Sequence, residues 1–234
     1  MNVKAVFFDA GNTLIYPEPP VGEVYARALG KAGIRADAGD VERQFLEAWA
    51  RLRRQHGPGR PGYGSGEPEA MDWWRSVVRE SFRPFGLPGD FEDLFLALWE
   101  HFAAGSAWRV YDDVWPTFDA LRRLGIRIGL ISNWDVRLPR LLRELGIARH
   151  LDWTIISFEA GAEKPDGAIF RKAVQGCGFP AGQLAHVGDT YEEDVLGARG
   201  AGIQGVWLRR DEAEPALADA PAIKQLTELP RVLT

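Results

Sequence analysis

The chain has 234 residues, a formal net charge of −5 and a pI near 5.5, and 46% of its residues are hydrophobic. That apolar content is ample for the core of one large domain or two modest ones and argues against disorder, while an acidic balance without a basic run gives no footprint for nucleic acid. Cys177 is the only cysteine, which excludes an intrachain disulfide; the first apolar run is much shorter than a signal-peptide core, and no stretch approaches a membrane span. The expectation is a soluble, cytoplasmic protein, monomer or homodimer, with no nucleic-acid or membrane partner.

The first ordered stretch organises the rest. Ala5 to Phe8 is a continuous apolar run, too short for a helix and rich in strand formers, and reads as a buried parallel strand. It ends in Asp9, after which Gly11 and Asn12 break the strand, both being tolerant of positive φ. In open α/β sheets ligands bind outside the carboxyl ends of the strands, so an acid at that tip is a candidate nucleophile or metal ligand, the plainer alternative being a loop-capping Asp.

Tyr16-Pro17-Glu18-Pro19-Pro20 cannot continue a helix and reads as a hinge. Helical spacing then runs from Val21 to Gly33 and from Asp40 to Arg54. His56 to Pro68 is dominated by Gly and Pro and reads as a mobile loop near the substrate-facing side of the helices. Glu69 to Phe82 and Asp90 to Phe102 are again helical, and Trp49, Trp73, Trp74 and Trp99 lie at core spacing. No strand pattern is evident between Pro17 and Ala107. The organisation is therefore a core of residues 1–16 and 109–234 with an all-helical domain, 17–108, inserted into it.

From Arg109 the rhythm alternates: helices over Val114–Leu124, Arg137–Leu145, Ala168–Gly176 and Asp194–Ala201, strands over Ile126–Ser132, Trp153–Ser157, Leu184–Val187 and Ile203–Leu208. Single helices between strands imply right-handed βαβ units and a Rossmann-like parallel sheet, an α/β fold. Residues 211–222 read as a polar loop, and the last dozen residues hold a short helix.

Each strand of this half ends in polar residues: Ser132-Asn133, then Glu163-Lys164-Pro165-Asp166, then Gly188-Asp189-Thr190 with Asp194. Taken singly, each has a plainer reading as a helix cap, a solvated charge or a turn. In this order, with Asp9 and Thr13 at the first strand, the set resembles the haloacid dehalogenase (HAD) superfamily, subfamily I, across essentially the whole core, and the inserted helices resemble that family's helical C1 cap. The resemblance implies a Mg²⁺-dependent hydrolase acting on a small phosphorylated metabolite through an aspartyl-phosphate on Asp9. Ser132 and Lys164 would assist catalysis, Thr13, Ser132, Asn133 and Lys164 would bind substrate, and Asp9, the Gly11 carbonyl, Asp189 and Asp194 would serve the metal, Asp194 either through water or by orienting Lys164. The chemistry is consistent: an anionic ester needs a nucleophile, a cation bridging the negative partners and donors around the equatorial oxygens.

Phosphatases of that family carry a second Asp two residues after the nucleophile, as general acid and base. Here that position is Gly11. Losing such a group typically lowers rate by a factor of about 10² to 10⁴. Three enzyme readings remain open: a phosphatase with a substitute acid or with a leaving group that needs no proton; a 2-haloacid dehalogenase; and a phosphonate hydrolase, for which Lys31 is the only lysine in the inserted helices. A catalytically weak binding protein of the same fold is the alternative outside enzymes.

Overall fold

The computed structural model describes residues 3–56, 62–210 and 220–233. Six parallel strands form one sheet: β1 is Ala5–Phe8, and further along the chain come β4 (Arg127–Ser132), β5 (Trp153–Ile156), β6 (Leu184–Gly188), β7 (Gln204–Leu208) and β8 (Ala222–Ile223), in the order β5-β4-β1-β6-β7-β8. β1 is central, pairing in parallel with β4 (Val6 opposite Ile128) and with β6 (Val6 opposite Ala185). All four of its residues are buried because the alternate side chains of a strand face opposite ways and both faces are covered. Val6 and Phe8 pack with Phe118, Leu121 and Leu138, from the helices α5 (Val114–Arg123) and α6 (Leu138–Glu144). Ala5 and Phe7 face Ile169, Phe170 and Ala198 instead, from α8 (Gly167–Cys177) and α9 (Gly197–Gly200). A single turn, α7 (Ser157–Ala160), follows β5, and α10 (Leu229–Val232) lies near the end of the chain.

Between β1 and α5 the described residues make four α-helices, α1 (Val21–Lys31), α2 (Ala38–His56), α3 (Glu67–Phe82) and α4 (Phe91–Ala103). They bury an apolar cluster of their own that includes Tyr25, Leu29, Phe82, Phe95 and Trp99. No described helix is long and apolar enough to cross a membrane.

The structure differs from the sequence expectation in four places. The segment read as a hinge contains a strand, β2 (Ile15–Pro17), paired antiparallel with β3 (Trp108–Val110), so both connections to the helices leave through one two-stranded ribbon. Three-residue strands, one ending in proline, leave too little alternation to register as a pattern. Positive φ after Asp9 belongs to Asn12 (φ 53) and not to Gly11; asparagine tolerates that region through its short polar side chain. The segment expected as a helix from Asp194 opens as a π-helical turn over Tyr191–Leu196. Finally, the loop expected over 211–222 ends in strand at Ala222, the first residue of β8, while its residues 211–219 lie outside the described residues, as do residues 57–61 of the loop expected over His56–Pro68.

Candidate active site

The tips of β1, β4 and β6 converge on one charged cluster. Lys164 is 2% exposed, and its Nζ donates to Asp9 Oδ1 at 2.7 Å and to Asp194 Oδ1 at 2.5 Å. Burial alone would lower this lysine, but the Asp194 and Asp9 carboxylates outweigh it and hold the ammonium above the usual lysine range. Burial would also raise Asp194, yet Lys164 and the His186 N–H together hold it below the usual carboxylate range. His186 is itself lowered by burial and so is neutral. Its Nε2 lies 2.9 Å from Asp194 Oδ1, where only an N–H makes a hydrogen bond to a carboxylate, so the proton sits on Nε2. Asp9, at the end of a fully buried strand, is pushed up by burial against the pull of Lys164.

The structure sorts the expected site residues into those that face the reacting space and those that support them. Ser132 is 1% exposed, and its Oγ has no partner although it borders the cavity above Asp9; an unpaired buried hydroxyl is unfavourable unless a ligand completes it. Asn133 serves Lys164 instead. Its Nδ2 donates to the Lys164 carbonyl (2.9 Å) and to Glu193 Oε2 (2.8 Å), and its Oδ1 accepts from the Lys164 N–H (2.7 Å). With both amide hydrogens committed, Asn133 is a poor phosphate donor and a good clamp for the lysine's backbone. Thr13, expected to touch substrate, is wholly buried and donates to Asp189 Oδ1 at 3.4 Å. Asp194 likewise has its oxygens taken, Oδ1 by Lys164 and His186 and Oδ2 by the Thr190 N–H at 2.9 Å. That arrangement orients Lys164 and leaves no oxygen for direct ligation. It also requires Gly188, since a Cβ there would come within 2.1 Å of the Asp194 carboxyl carbon.

Asp189 is the carboxylate with a charge to give. Burial, then the Asp9 and Asp194 charges, push it up to about 7. Three acids around one ammonium leave negative charge in excess, and a divalent cation fits that excess. Among the described residues no three His, Cys, Asp or Glu side chains form a ligand cage. The groups that would hold such a cation are the Asp9 and Asp189 carboxylates with, as the resemblance implies, the Gly11 carbonyl, hard oxygens of the kind Mg²⁺ takes while keeping several waters.

A cavity of about 310 Å³ lies over this cluster, between the strand tips and α1–α3. Several of its residues carried no readable signal in the sequence. Arg53 of α2 reaches across to Glu193 Oε1 (2.9 Å) and Glu163 Oε1 (3.4 Å), and the Gly62 N–H donates to Glu163 Oε2 (3.0 Å). Trp74 Nε1 donates to Asp135 Oδ2 (2.8 Å), a fully buried carboxylate that also binds the Arg137 guanidinium. Arg210 donates to the carbonyls of Asn12 and Thr13 and pairs with Asp113, fixing the turn after Asp9. Most of these contacts join distant segments, and only the proximity of Glu163 to Lys164 and of Asp135 to Asn133 in the chain hinted at any of them. Of the tryptophans expected in the core, Trp73 and Trp99 are buried, whereas Trp49 and Trp74 are half-buried on the cavity wall.

Residues 3–202 match the family model of haloacid dehalogenase-like hydrolases. The chain is 33% identical over 234 residues to haloacid dehalogenase-like hydrolase domain-containing protein 3 of Danio rerio, covering 97% of this chain and 95% of that protein. It is 31% identical to the Xenopus laevis protein of that name, over 93% and 88% of the two chains. Among solved structures, a HAD phosphatase from Thermococcus onnurineus superposes with a TM-score of 0.68 at 26% identity, covering 99% of this chain and 98% of that one. The magnesium-bound YfnB protein of Bacillus subtilis, at 17% identity, shares the fold with a TM-score of 0.77 over 100% and 99%.

Proposed function

Because the chain belongs to the haloacid dehalogenase-like hydrolases, we propose that this hydrolase is a Mg²⁺-dependent phosphatase that takes a phosphoryl group from a small substrate onto Asp9. The observation that carries the reading is the set of groups at the strand tips: a carboxylate at the end of β1, Lys164 Nζ at 2.7 Å from it, and Ser132 Oγ buried beside it without a partner. Mg²⁺, held by Asp9, Asp189 and the Gly11 carbonyl, would supply positive charge that keeps Asp9 ionised and offsets the approach of two anions. Lys164 Nζ donates to Asp9 Oδ1 and so holds the attacking carboxylate in place. Attack breaks the bond from phosphorus to the leaving oxygen and forms the acyl phosphate; water then cleaves the new phosphorus–oxygen bond, restoring the Asp9 carboxylate and releasing phosphate. Lys164 and the Ser132 hydroxyl donate to the transferring oxygens throughout, where each preorganised donor is worth roughly 10² to 10³ in rate. Asp194, His186 and Asn133 act through Lys164, fixing where its ammonium stands.

The test is chemical trapping. Incubation with Mg²⁺ and acetyl phosphate, followed by acid quench and peptide mapping, should place phosphate on Asp9, and Asp9→Asn should abolish both the adduct and turnover. Absence of any adduct together with absence of turnover would leave a binding protein. One observation favours a second reading, dehalogenation: with Gly11 in place of an acid, a halide would leave without needing a proton. Halide release from a 2-haloacid that persists in a metal chelator would support it, whereas the excess negative charge around Asp189 supports the phosphatase.

A further inference from the structure

Two features meet in the cavity over Asp9. The first is where the missing acid would stand. A Cβ built on Gly11 comes 3.3 Å from Cζ3 of Trp134, so the space a side chain would enter is bounded by an indole ring. The second is the wall of the 310 Å³ cavity, lined on the helical side by Phe45, Trp49, Tyr63 and Trp74 and on the strand side by Trp108 and Trp134. Tyr63 stacks near-parallel to Trp74 at 5.9 Å, and Trp108 lies 5.2 Å from Trp134. Beyond Lys164, the described cations on this wall are already committed: Arg53 to Glu163 and Glu193, and Arg137 to Asp135, with its guanidinium 3.8 Å from the centre of the Trp99 ring. A second anionic group on the substrate would find no free cation there, and a polyol would meet mostly rings, with Asn12, Glu42 and Thr190 among the few polar side chains on the wall.

We propose that the substrate is an aryl phosphate, a phosphate monoester of a phenol, whose ring lies between Trp49, Trp74 and Trp134 while its phosphate meets Asp9, Ser132 and Lys164. This rests on the phosphatase reading and names its leaving group. The chemistry agrees with the packing. A phenol has a pKa of about 10 and an aliphatic hydroxyl lies nearer the roughly 15.7 of water, so phenolate departs without the proton that an acid at position 11 would give. Asp9 attacks phosphorus, the phosphorus–oxygen bond to the ring breaks, and its electron pair leaves on the phenolate, which takes a proton from solvent. Water then opens the acyl phosphate, its oxygen passing to phosphorus and its protons to phosphate and the medium. A cavity of this size, at the small end of the roughly 300 to 1,000 Å³ typical of ligand sites, holds a ring and a phosphate and excludes a polymer.

Four phosphates separate ring from leaving group: phenyl phosphate (ring, phenolate), benzyl phosphate (ring, alkoxide), acetyl phosphate (no ring, carboxylate) and glycerol 3-phosphate (neither). We expect kcat/KM to be highest for phenyl phosphate, and benzyl phosphate to inhibit competitively while turning over at least 100-fold more slowly than phenyl phosphate. In Trp49→Ala, and separately in Phe45→Ala, the ratio of kcat/KM for phenyl phosphate to that for acetyl phosphate should fall about fivefold to tenfold, the ratio cancelling any shared loss from folding or chemistry. An unchanged ratio in both variants, or acetyl phosphate turned over as well as phenyl phosphate, overturns the aryl assignment and leaves the phosphatase intact. No turnover of any of the four, with no adduct on Asp9, overturns the phosphatase reading itself.

Discussion

At the scale of single residues, Gly11 sets the sharpest expectation. Its φ is not positive, so an aspartate there meets no backbone strain, and the obstacle is the Trp134 ring 3.3 Å from the new Cβ. Gly11→Asp alone should lower stability by about 1 to 3 kcal/mol through overpacking, and pairing it with Trp134→Leu should recover most of that loss. In the double variant the steep dependence of rate on leaving-group pKa should flatten, with activity on a sugar phosphate rising more than activity on p-nitrophenyl phosphate; equal slopes in both proteins would mean that another group already gives the proton. Asp189 sets a second expectation. Its raised pKa means that the folded, metal-free protein holds a proton there more tightly than the unfolded chain does. That contribution to stability is present in acid and is lost as pH rises through the carboxylate range to about 7. Mg²⁺ has to displace the proton, so calorimetry should show its affinity falling from pH 8 to pH 6, and Asp189→Asn should remove both the affinity and its pH dependence. Asp9, Ser132, Lys164 and Asp189 stood out in the sequence as an ordered set of polar residues after successive strands; singly each had a plainer reading, and Lys164 stands beyond α7, where strand periodicity does not reach. The supporting roles of Asn133 and Thr13 were not legible, because which side chain turns toward substrate and which toward a neighbour depends on packing between segments far apart in the chain; for Asp194 the sequence left two roles open, and the contact with Lys164 is the one the structure shows.

At the scale of elements, α2 is held against the strand tips by a few polar contacts. Arg53 is mostly buried, and its two partners lie on different segments of the sheet half, Glu163 just before Lys164 and Glu193 in the π-helical turn after β6; Glu193 in turn accepts from Asn133, which grips the Lys164 backbone. Burial pushes the Glu193 carboxyl up, and Arg53 is the main charge opposing it. Arg53→Met strands two carboxylates and should cost about 1 to 3 kcal/mol in chemical denaturation. Arg53→Met with Glu193→Gln should lose less than the sum of the single variants, since the second change removes one of the charges left unpaired. The main elements were easy to read: α1 to α4 show the apolar spacing of a helix packed on one face, and β1, β4 and β6 show the largely apolar runs of strands covered on both sides, interrupted within β6 by His186. The β2–β3 ribbon was hidden because its halves are three residues each and lie on either side of the inserted helices, so that only the tertiary fold brings them together.

At the scale of the whole molecule, the cavity is closed on one side by the sheet and on the other by the helices, so a ligand's extent decides how much of the chain it stabilises. Inorganic phosphate with Mg²⁺ is confined to the tips of β1, β4 and β6. A ring carried by that phosphate reaches Trp49 on α2, Trp74 on α3 and Tyr63 in the segment between them. A ligand that binds only the folded state stabilises it by RT ln(1 + [L]/Kd), about 2.7 kcal/mol at a hundredfold excess over Kd, and slows exchange in the elements whose opening would break its contacts. Using Asp9→Asn to prevent turnover, amide hydrogen exchange with Mg²⁺ and inorganic phosphate should slow at Ser132 to Asp135 and around Gly188 and Asp189, with little effect on α2 and α3. Phenyl phosphate at matched occupancy should slow the same amides and, in addition, those of Ala48 to Arg53, Gly62 to Tyr63 and Trp73 to Val77. Phe82 and Phe95 do not line the cavity, although Phe82 packs against Tyr25 of its wall, and they serve as the internal reference, because a general tightening of the helices would slow their amides too. Identical patterns with the two ligands would place the ring outside the aromatic wall, and protection spread evenly to Phe82 and Phe95 would mean that the helices respond to phosphate as one body, with the ring adding nothing of its own.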